Sequence, residues 1–365
     1  MKMDSWLSLN AVGCAYKLAL KKLVDFYGSA EDVLRVSDQE LWHSGLAGKG
    51  FTKARAMAKD KFKLDKEYEL MDKYGVKAIT LADDNYPMSL RYLPDAPIVL
   101  YVQGEVLRRD LVAIGVVGTR LFTPYGKSQA TELSGQLAEA GITIVSGLAH
   151  GIDTFAHRAA LDKGGRTLAI LGGGISRLFP PENKELARSI SANGAVISEY
   201  TMSETPTQQT FPLRNRIISG LSLGVLVIEA DVKSGALITA KWAVSQGREV
   251  FALPGNISSR FSRGTNKLIK DGAKLVEGVE DVIEEINCLK GLAAGKKRPA
   301  QPEFAITGLN EGEGNIYRLL GSEPVNIESL CVQTGLPMGR LSPLLLQLEM
   351  KELIQEVGGK NYIRV

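Results

Sequence analysis

This sequence predicts an α/β fold around an open parallel sheet, preceded by a helical segment and followed by a small helix-and-hairpin unit. Three observations carry that prediction. Between residues 108 and 288, short apolar runs alternate with helical patterns about every 25–35 residues, as βαβ construction requires. The apolar runs end in turns of Gly, Ser, Thr, Arg or Asn: GVVGTR (115–120), SGLAHGID (146–153), LGGGI (171–175), IEADVKSGALITA (228–240) and LPGN (253–256). Beyond residue 303, three helical patterns and a terminal hairpin appear in the order of a winged helix.

The elements follow in chain order. Leu18, Leu20, Leu23, Val24 and Phe26 recur near helical spacing and stop at Gly28-Ser29. A second helix is predicted over 37–46 and a third over 52–74, separated by the turn GLAGKGF. KAITL and PIVLYVQG read as strands, with the proline turns DDNYP and LPDAP between them. Further strands are predicted at 112–117, 142–146, 167–172, 195–199, 224–229, 249–253 and 273–276, and VEDVIEEI (279–286) closes the region as a helix. LKGLAAGKKRPAQPE (289–303) lacks apolar period and reads as a linker. The tail contributes GNIYRLLG, NIESLCVQTG and PMGRLSPLLLQLEMKELI, then a hairpin turning at Gly358-Gly359. The expected domains are therefore 1–75 helical, 76–288 α/β, 289–303 linker and 304–365 winged-helix-like.

Composition narrows the class. With 365 residues, 44% hydrophobic and 23% charged, the chain is long enough for several cores. A net charge of +3 gives no bulk signal for nucleic acid, so any such binding needs a local patch. Cys14, Cys288 and Cys331 are odd in number and far apart, which offers no disulfide framework or metal site and suits a reducing cytosol. The start, MKMDSWLSLN, is not a signal peptide, and no run approaches the roughly 20 apolar residues of a membrane span. The expectation is a cytoplasmic protein with no membrane contact.

In an open parallel sheet these turns share one edge, outside the carboxyl ends of the strands, where ligands bind. Helix N-termini there attract anions. GVVGTR departs from GxGxxG: Gly118 would let backbone approach a phosphate, and Arg120 would grip it. No acidic residue stands where NAD ribose needs one, no GxxxxGK[ST] is present for ATP, and no GxSxG elbow occurs, so no cofactor is expected. The histidines, His43, His150 and His157, have no evident catalytic partner, and His157 reads as a packed side chain. Asp153 reads as a helix brace. FPLRNRIISGLS (211–222) places Arg214 and Arg216 around Asn215 at a helix start, with Phe211 available to stack on a base or to act as a hydrophobic staple. Arg260, Arg263, Lys267 and Lys270 form a further basic cluster.

GVVGTR, SGLAHGIDTFAHRAAL, LGGGI with FPPEN, ISEY, FPLRNRIISGLS, SGALITAKWAVSQGREVFALPG and GTNKLIKDGA, in this order, resemble the DNA-processing protein A (DprA, or Smf) family over about residues 80–286. The resemblance implies an extended Rossmann-like domain that binds single-stranded DNA without sequence preference, protects incoming strands in natural transformation, helps load the recombinase RecA, and forms homodimers. It assigns DNA contact to Gly118, Thr119, Arg120, Ser146, Gly147, Phe211, Arg214, Asn215, Arg216, Ser234, Gly235, Thr265 and Asn266, and Arg263 of the basic cluster is expected to join them. One departure stands out: Gln208 occupies the place where relatives commonly carry lysine, and Lys184 or Lys233 would have to compensate. The N-terminal segment is similar to the family's helix-hairpin-helix or SAM-like domain. With one glycine in its Val12-Gly13-Cys14 turn, it is expected to serve packing or protein contact. The tail is similar to the family's winged helix. Its recognition helix sets Arg340 and Lys351 against Glu349 and Glu352, so a protein-contact or vestigial role is expected over groove reading.

The leading reading is a non-enzymatic single-stranded DNA-binding protein. Two others stay open. One is a hydrolase of N-glycosidic bonds, whose phosphate loop would be Ser234-Gly235-Ala236 and whose carboxylate would be Glu229 or Asp231. The other is a scaffold whose main ligand is protein.

Overall fold

The computed structural model of the chain describes residues 3–286, 289, 309–321, 325–351, 353–356 and 360–364. Contacts divide it into two compact units, Met1–Gly295 and Lys296–Val365.

In the first unit, β1 (Val76–Thr80), β2 (Val99–Gly104), β3 (Ala113–Val117), β4 (Thr143–Ser146), β5 (Thr167–Ile170), β6 (Ala195–Ser198), β7 (Gly224–Val227), β8 (Glu249–Ala252) and β9 (Lys274–Leu275) form one sheet among the described residues. Its order is β1-β2-β6-β5-β4-β3-β7-β8-β9. β1–β2 and β2–β6 are antiparallel, and every pairing from β6 to β9 is parallel. The mixed α/β architecture, with its large parallel sheet, is the one the sequence predicts. From β3 the chain winds outward through β4, β5 and β6. It then returns to place β7 on the other flank of β3, and the winding reverses there. Such a switch point opens a crevice at the carboxyl edge.

Strands β3 to β7 are buried on both faces, as a doubly covered parallel sheet demands. β3 shows the alternation: Ala113 and Val117 enter one apolar cluster, Ile114 and Val116 the other. The second cluster is closed by helices Pro124–Glu139, Ile152–Asp162 and Val279–Glu285. The first joins the sheet to helices Lys184–Asn193, Thr210–Leu221 and Ala236–Ser245 and to the N-terminal helices through Leu7, Leu9, Leu20 and Leu23. At the amino edge, Arg166 donates from Nε and Nη2 to the two carboxylate oxygens of Asp110, both at 2.8 Å, and Thr143 Oγ1 adds a bond of 2.9 Å. One edge is thereby tied shut and the other left open.

The N-terminal helices are Met3–Asn10, Lys17–Tyr27, Ala30–Arg35, Asp38–His43, Lys49–Lys61 and Leu64–Tyr74. Ser29 and Ser37 cap two of them, accepting from Asp32 N and Glu40 N. The single helix expected over 52–74 is two, because Phe62 and Lys63 adopt extended backbone. That break turns Phe62 and Leu64 against the core. Polar bonds tie this segment to the sheet. Asn10 Nδ2 donates to Glu199 O at 2.8 Å, Lys17 Nζ to Asn10 Oδ1 at 2.6 Å, and Met202 N to Glu67 Oε1 at 2.8 Å. Burial lowers Lys17 to about 8, opposed by Glu199.

The second unit holds helices Glu311–Leu319, Ile327–Thr334 and Met338–Met350 and a sheet of β10 (Val325–Asn326), β12 (Asn361–Arg364) and β11 (Ile354–Glu356) in that order. Asn310 and Glu313 form a capping box at the first helix. Lys351 Nζ reaches both Glu313 carboxylate oxygens at 2.9 Å, so this cation of the third helix is engaged within the fold. The linker expected over 289–303, apart from Leu289, lies outside the described residues, as do Cys288, Glu352 and the Gly358-Gly359 turn. Among the described residues no helix is long and apolar enough to cross a membrane.

Candidate functional site

The turn after β3 and the turn after β7 face each other across the switch point, and the start of helix Thr210–Leu221 closes the crevice between them. Together they enclose a cleft of about 560 Å³. Gly118, Thr119, Arg120, Phe211, Arg214, Asn215, Ser234 and Gly235 line it, so eight sequence-predicted residues meet in one place.

Helical spacing decides what the third wall presents. Residues three and four apart share a face, whereas residues two apart do not. Phe211, Arg214 and Asn215 therefore turn into the cleft together. Arg216 turns away, roughly 200° round the helix from Arg214. It is fully buried, donating from Nη1 to Glu199 Oε1 at 3.0 Å and from Nη2 to Glu199 Oε2 at 2.7 Å, with Asp95 Oδ2 3.6 Å from Nε. Burial opposes its charge, yet Glu199 and Asp95 outweigh that and raise its affinity for the proton. The expected phosphate contact by Arg216 is corrected to an internal ion pair.

Arg214 lines the cleft but is nearly buried. It donates to Gly147 O at 2.6 Å, to Ile170 O, and from Nε to Asn215 Oδ1 at 3.1 Å. Burial pulls it down to about 10, against the attraction of Asp153. Asn215 in turn donates from Nδ2 to Gly235 O at 3.2 Å, fixing the turn after β7. Arg120 differs: its guanidinium is exposed and lies 5.1 Å from the centre of the Phe211 ring. Among the described residues it enters no ion pair. Phe211 is half-buried, and its seat exists because a side chain at Gly172 would meet its ring at 2.8 Å.

Of the backbone cradle expected at Gly118 and Thr119, the Thr119 N–H is spent inside the fold. Thr119 N donates to Glu229 O at 2.8 Å, and a Cβ on Gly118 would strike Ile152 at 2.6 Å. Gly118 serves close packing of strand turn on helix. Gly147 makes room for Arg214, whose guanidinium would lie 2.4 Å from an added Cβ. Gly147→Ala is therefore expected to destabilise the fold by about 1–3 kcal/mol through overpacking, read as a lowered melting temperature. An unchanged melting temperature would show that the guanidinium moves aside freely.

The remaining predicted residues brace the edge from outside the cleft. Ser146 Oγ donates to Val116 O at 2.6 Å and Thr265 Oγ1 to Ser262 O at 3.2 Å. Asn266 clamps Gly255, accepting from its N at 3.1 Å and donating to its O at 2.8 Å. Arg263 is exposed at the start of helix Arg263–Lys270, away from the cleft lining. Gln208, Lys184 and Lys233 are exposed.

The carboxylates are engaged. Glu229 is buried and accepts from Thr123 N at 3.0 Å and Thr123 Oγ1 at 2.6 Å, bracing helix Pro124–Glu139. Asp231 accepts from Arg260 Nε at 2.6 Å, which holds it below the usual carboxylate range. Asp153, in the cleft wall, accepts from Gly147 N at 3.1 Å and Ala149 N at 3.4 Å; burial raises it, with Arg214 opposing. His157 is buried against Thr167 Oγ1 at 2.6 Å and driven down to about 3 by burial, then by Arg214. Since Thr167 Oγ1 gives its proton to Ile144 O at 2.8 Å, His157 donates from Nδ1 and is neutral. It is a packed histidine, as the sequence suggests.

One residue of the rim escapes sequence reasoning. Phe179, 47% exposed, has its ring centroid 6.1 Å from that of Phe211. The only signal was FPPEN following LGGGI, which marks a turn without marking its aromatic as a surface.

Both matching family models describe one family. DNA recombination-mediator protein A matches residues 77–287, and the DprA winged helix domain matches 299–360. The chain is 35% identical to Protein Smf of Synechocystis sp. over 78% of its own length and 79% of the relative's. It is 42% identical to DNA processing protein DprA of Bacillus subtilis over 58% and 72% respectively. The X-ray structure of DNA processing protein A from Streptococcus pneumoniae is similar with TM-score 0.65 at 33% identity, covering 78% of this chain and 99% of that one. A structure of DNA processing protein A from Helicobacter pylori, described for its single-stranded DNA binding mode, is similar with TM-score 0.53 at 31% identity, covering 60% and 97%.

Proposed function

The chain belongs to the DNA recombination-mediator protein A family, and from that premise we propose that it binds single-stranded DNA in the cleft at the β3/β7 switch point. The observation that carries this is the pairing of an exposed guanidinium, Arg120, with an aromatic ring, Phe211, at 5.1 Å in an open crevice. A cation for a phosphate, stacked over an aromatic ring that lines an open crevice, suits a polynucleotide of any sequence. Duplex DNA offers no free base face, so single strands are preferred. The solved H. pylori relative, described for binding single strands, supports the same reading.

In this reading the protein coats incoming strands, shields them from nucleases and assists the loading of RecA, as a homodimer and without catalysis of its own. The hydrolase alternative needs a free carboxylate beside the sugar. Glu229 is taken by Thr123, Asp231 by Arg260, and Asp153 by two backbone N–H groups. Exonuclease digestion of a labelled single strand, with and without the protein, tests protection directly: slowed digestion is expected, and an unchanged rate rejects it. Capture of RecA by the tagged protein and light scattering of the purified chain test the partner and the dimer. Release of free base from nucleoside monophosphates, abolished by Glu229→Gln, would overturn the non-enzymatic reading.

A further inference from the structure

We propose that Phe179 is a second base platform, holding the nucleotide adjacent to the one on Phe211. The proposal rests on the single-strand reading above and extends it to a subsite. Three features of the rim carry it. Phe179 keeps 47% of its surface exposed, so its ring is open to solvent on the rim. The two rings meet at 6.1 Å with a 55° tilt, so they do not cover each other face to face and an open ring face remains on the rim. The small recess between them is lined by Arg120, Gly147, Ala149, His150, Phe179 and Phe211, and it shares Arg120, Ala149 and Phe211 with the main cleft. A strand leaving Phe211 along that shared wall reaches Phe179 next.

The charges around this ring agree with a phosphate path. Arg177 and Lys184 flank Phe179 in sequence and are exposed, and neither enters an ion pair among the described residues. The rim's carboxylate, Glu182, faces His150 Nε2 at 3.6 Å. Pro180, immediately after the ring, is buried, which anchors the turn that carries it. Two rings and one arginine would thus bind two successive bases and the phosphate linking them.

The test uses the full chain and two oligonucleotides of equal length, one of thymidines and one abasic throughout, with affinity read by fluorescence anisotropy at fixed salt. Phe179→Ala is expected to weaken binding to the thymidine strand by about 5- to 160-fold, the range for loss of one stacked base. Its affinity for the abasic strand should equal that of wild type. Phe179→Trp should retain binding, and Phe179→Leu, which keeps apolar volume without a π face, should fall between. Equal affinity of Phe179→Ala and wild type for thymidines, with Arg120→Ala still weakened, overturns the platform and leaves the single-strand reading intact. An equal loss on both strands also overturns it, assigning Phe179 to rim packing. Failure of wild type to bind either strand removes the reading on which the proposal rests.

Discussion

Arg120→Ala is expected to weaken single-stranded DNA binding by about 13- to 160-fold, the range for loss of a hydrogen bond to a charged group. The loss should be uniform across sequences, because a phosphate contact carries no base information. It should also reduce the slope of log affinity against log salt by about 0.7, the contribution of one phosphate on a single strand. Stability should change by no more than about 0.5 kcal/mol, since the side chain is exposed and outside any ion pair among the described residues. Anisotropy titrations at several salt concentrations, beside thermal unfolding of both proteins, read all three quantities. An unaltered slope would place the phosphate path elsewhere.

Arg216→Met is expected to act in the opposite way. It leaves Glu199 buried and unpaired, with Asp95 beside it, and removal of one partner from such a pair costs about 3–5 kcal/mol. Denaturant midpoints should fall accordingly, while the folded fraction binds single strands as wild type does. Replacing both partners, Glu199→Leu with Arg216→Met, should recover much of the loss, because the exposed penalty is an isolated charge in a dry site. A stable Arg216→Met that had lost DNA binding would return this arginine to the interface.

The contrast between these two arginines shows where sequence reasoning succeeds and where it stops. The strands were legible because each is a short apolar run bounded by turn residues, and βαβ spacing implied one ligand-bearing edge. Arg120 was legible because it follows a strand end with only a glycine and a threonine between. RNR was misread as one cluster: the helix carrying it turns by about 100° per residue, which sends Arg214 and Arg216 to different faces. Glu199, which decides the fate of Arg216, lies 17 residues away on another strand end, and nothing local announces the pairing. Ser146 and Asn266 were placed on the right edge, but their hydrogen bonds run to Val116 O and Gly255, contacts fixed only when the sheet assembles. Phe179 was passed over because a turn rich in proline hides whether its aromatic faces inward or out. The helix expected over 52–74 failed for a related reason: Phe62 and Lys63 are compatible with helix locally, and packing of Phe62 on the core overrides that propensity.

In the proposed function, the switch-point cleft grips a single strand through phosphate charge and base stacking. The most direct test is the salt dependence of wild-type affinity for a single strand and for the same sequence as a duplex. Tighter binding to the single strand is expected at every salt concentration, with a linear fall of log affinity with log salt and little variation among homopolymers. Equal affinity for duplex and single strand, or binding indifferent to salt, would contradict it.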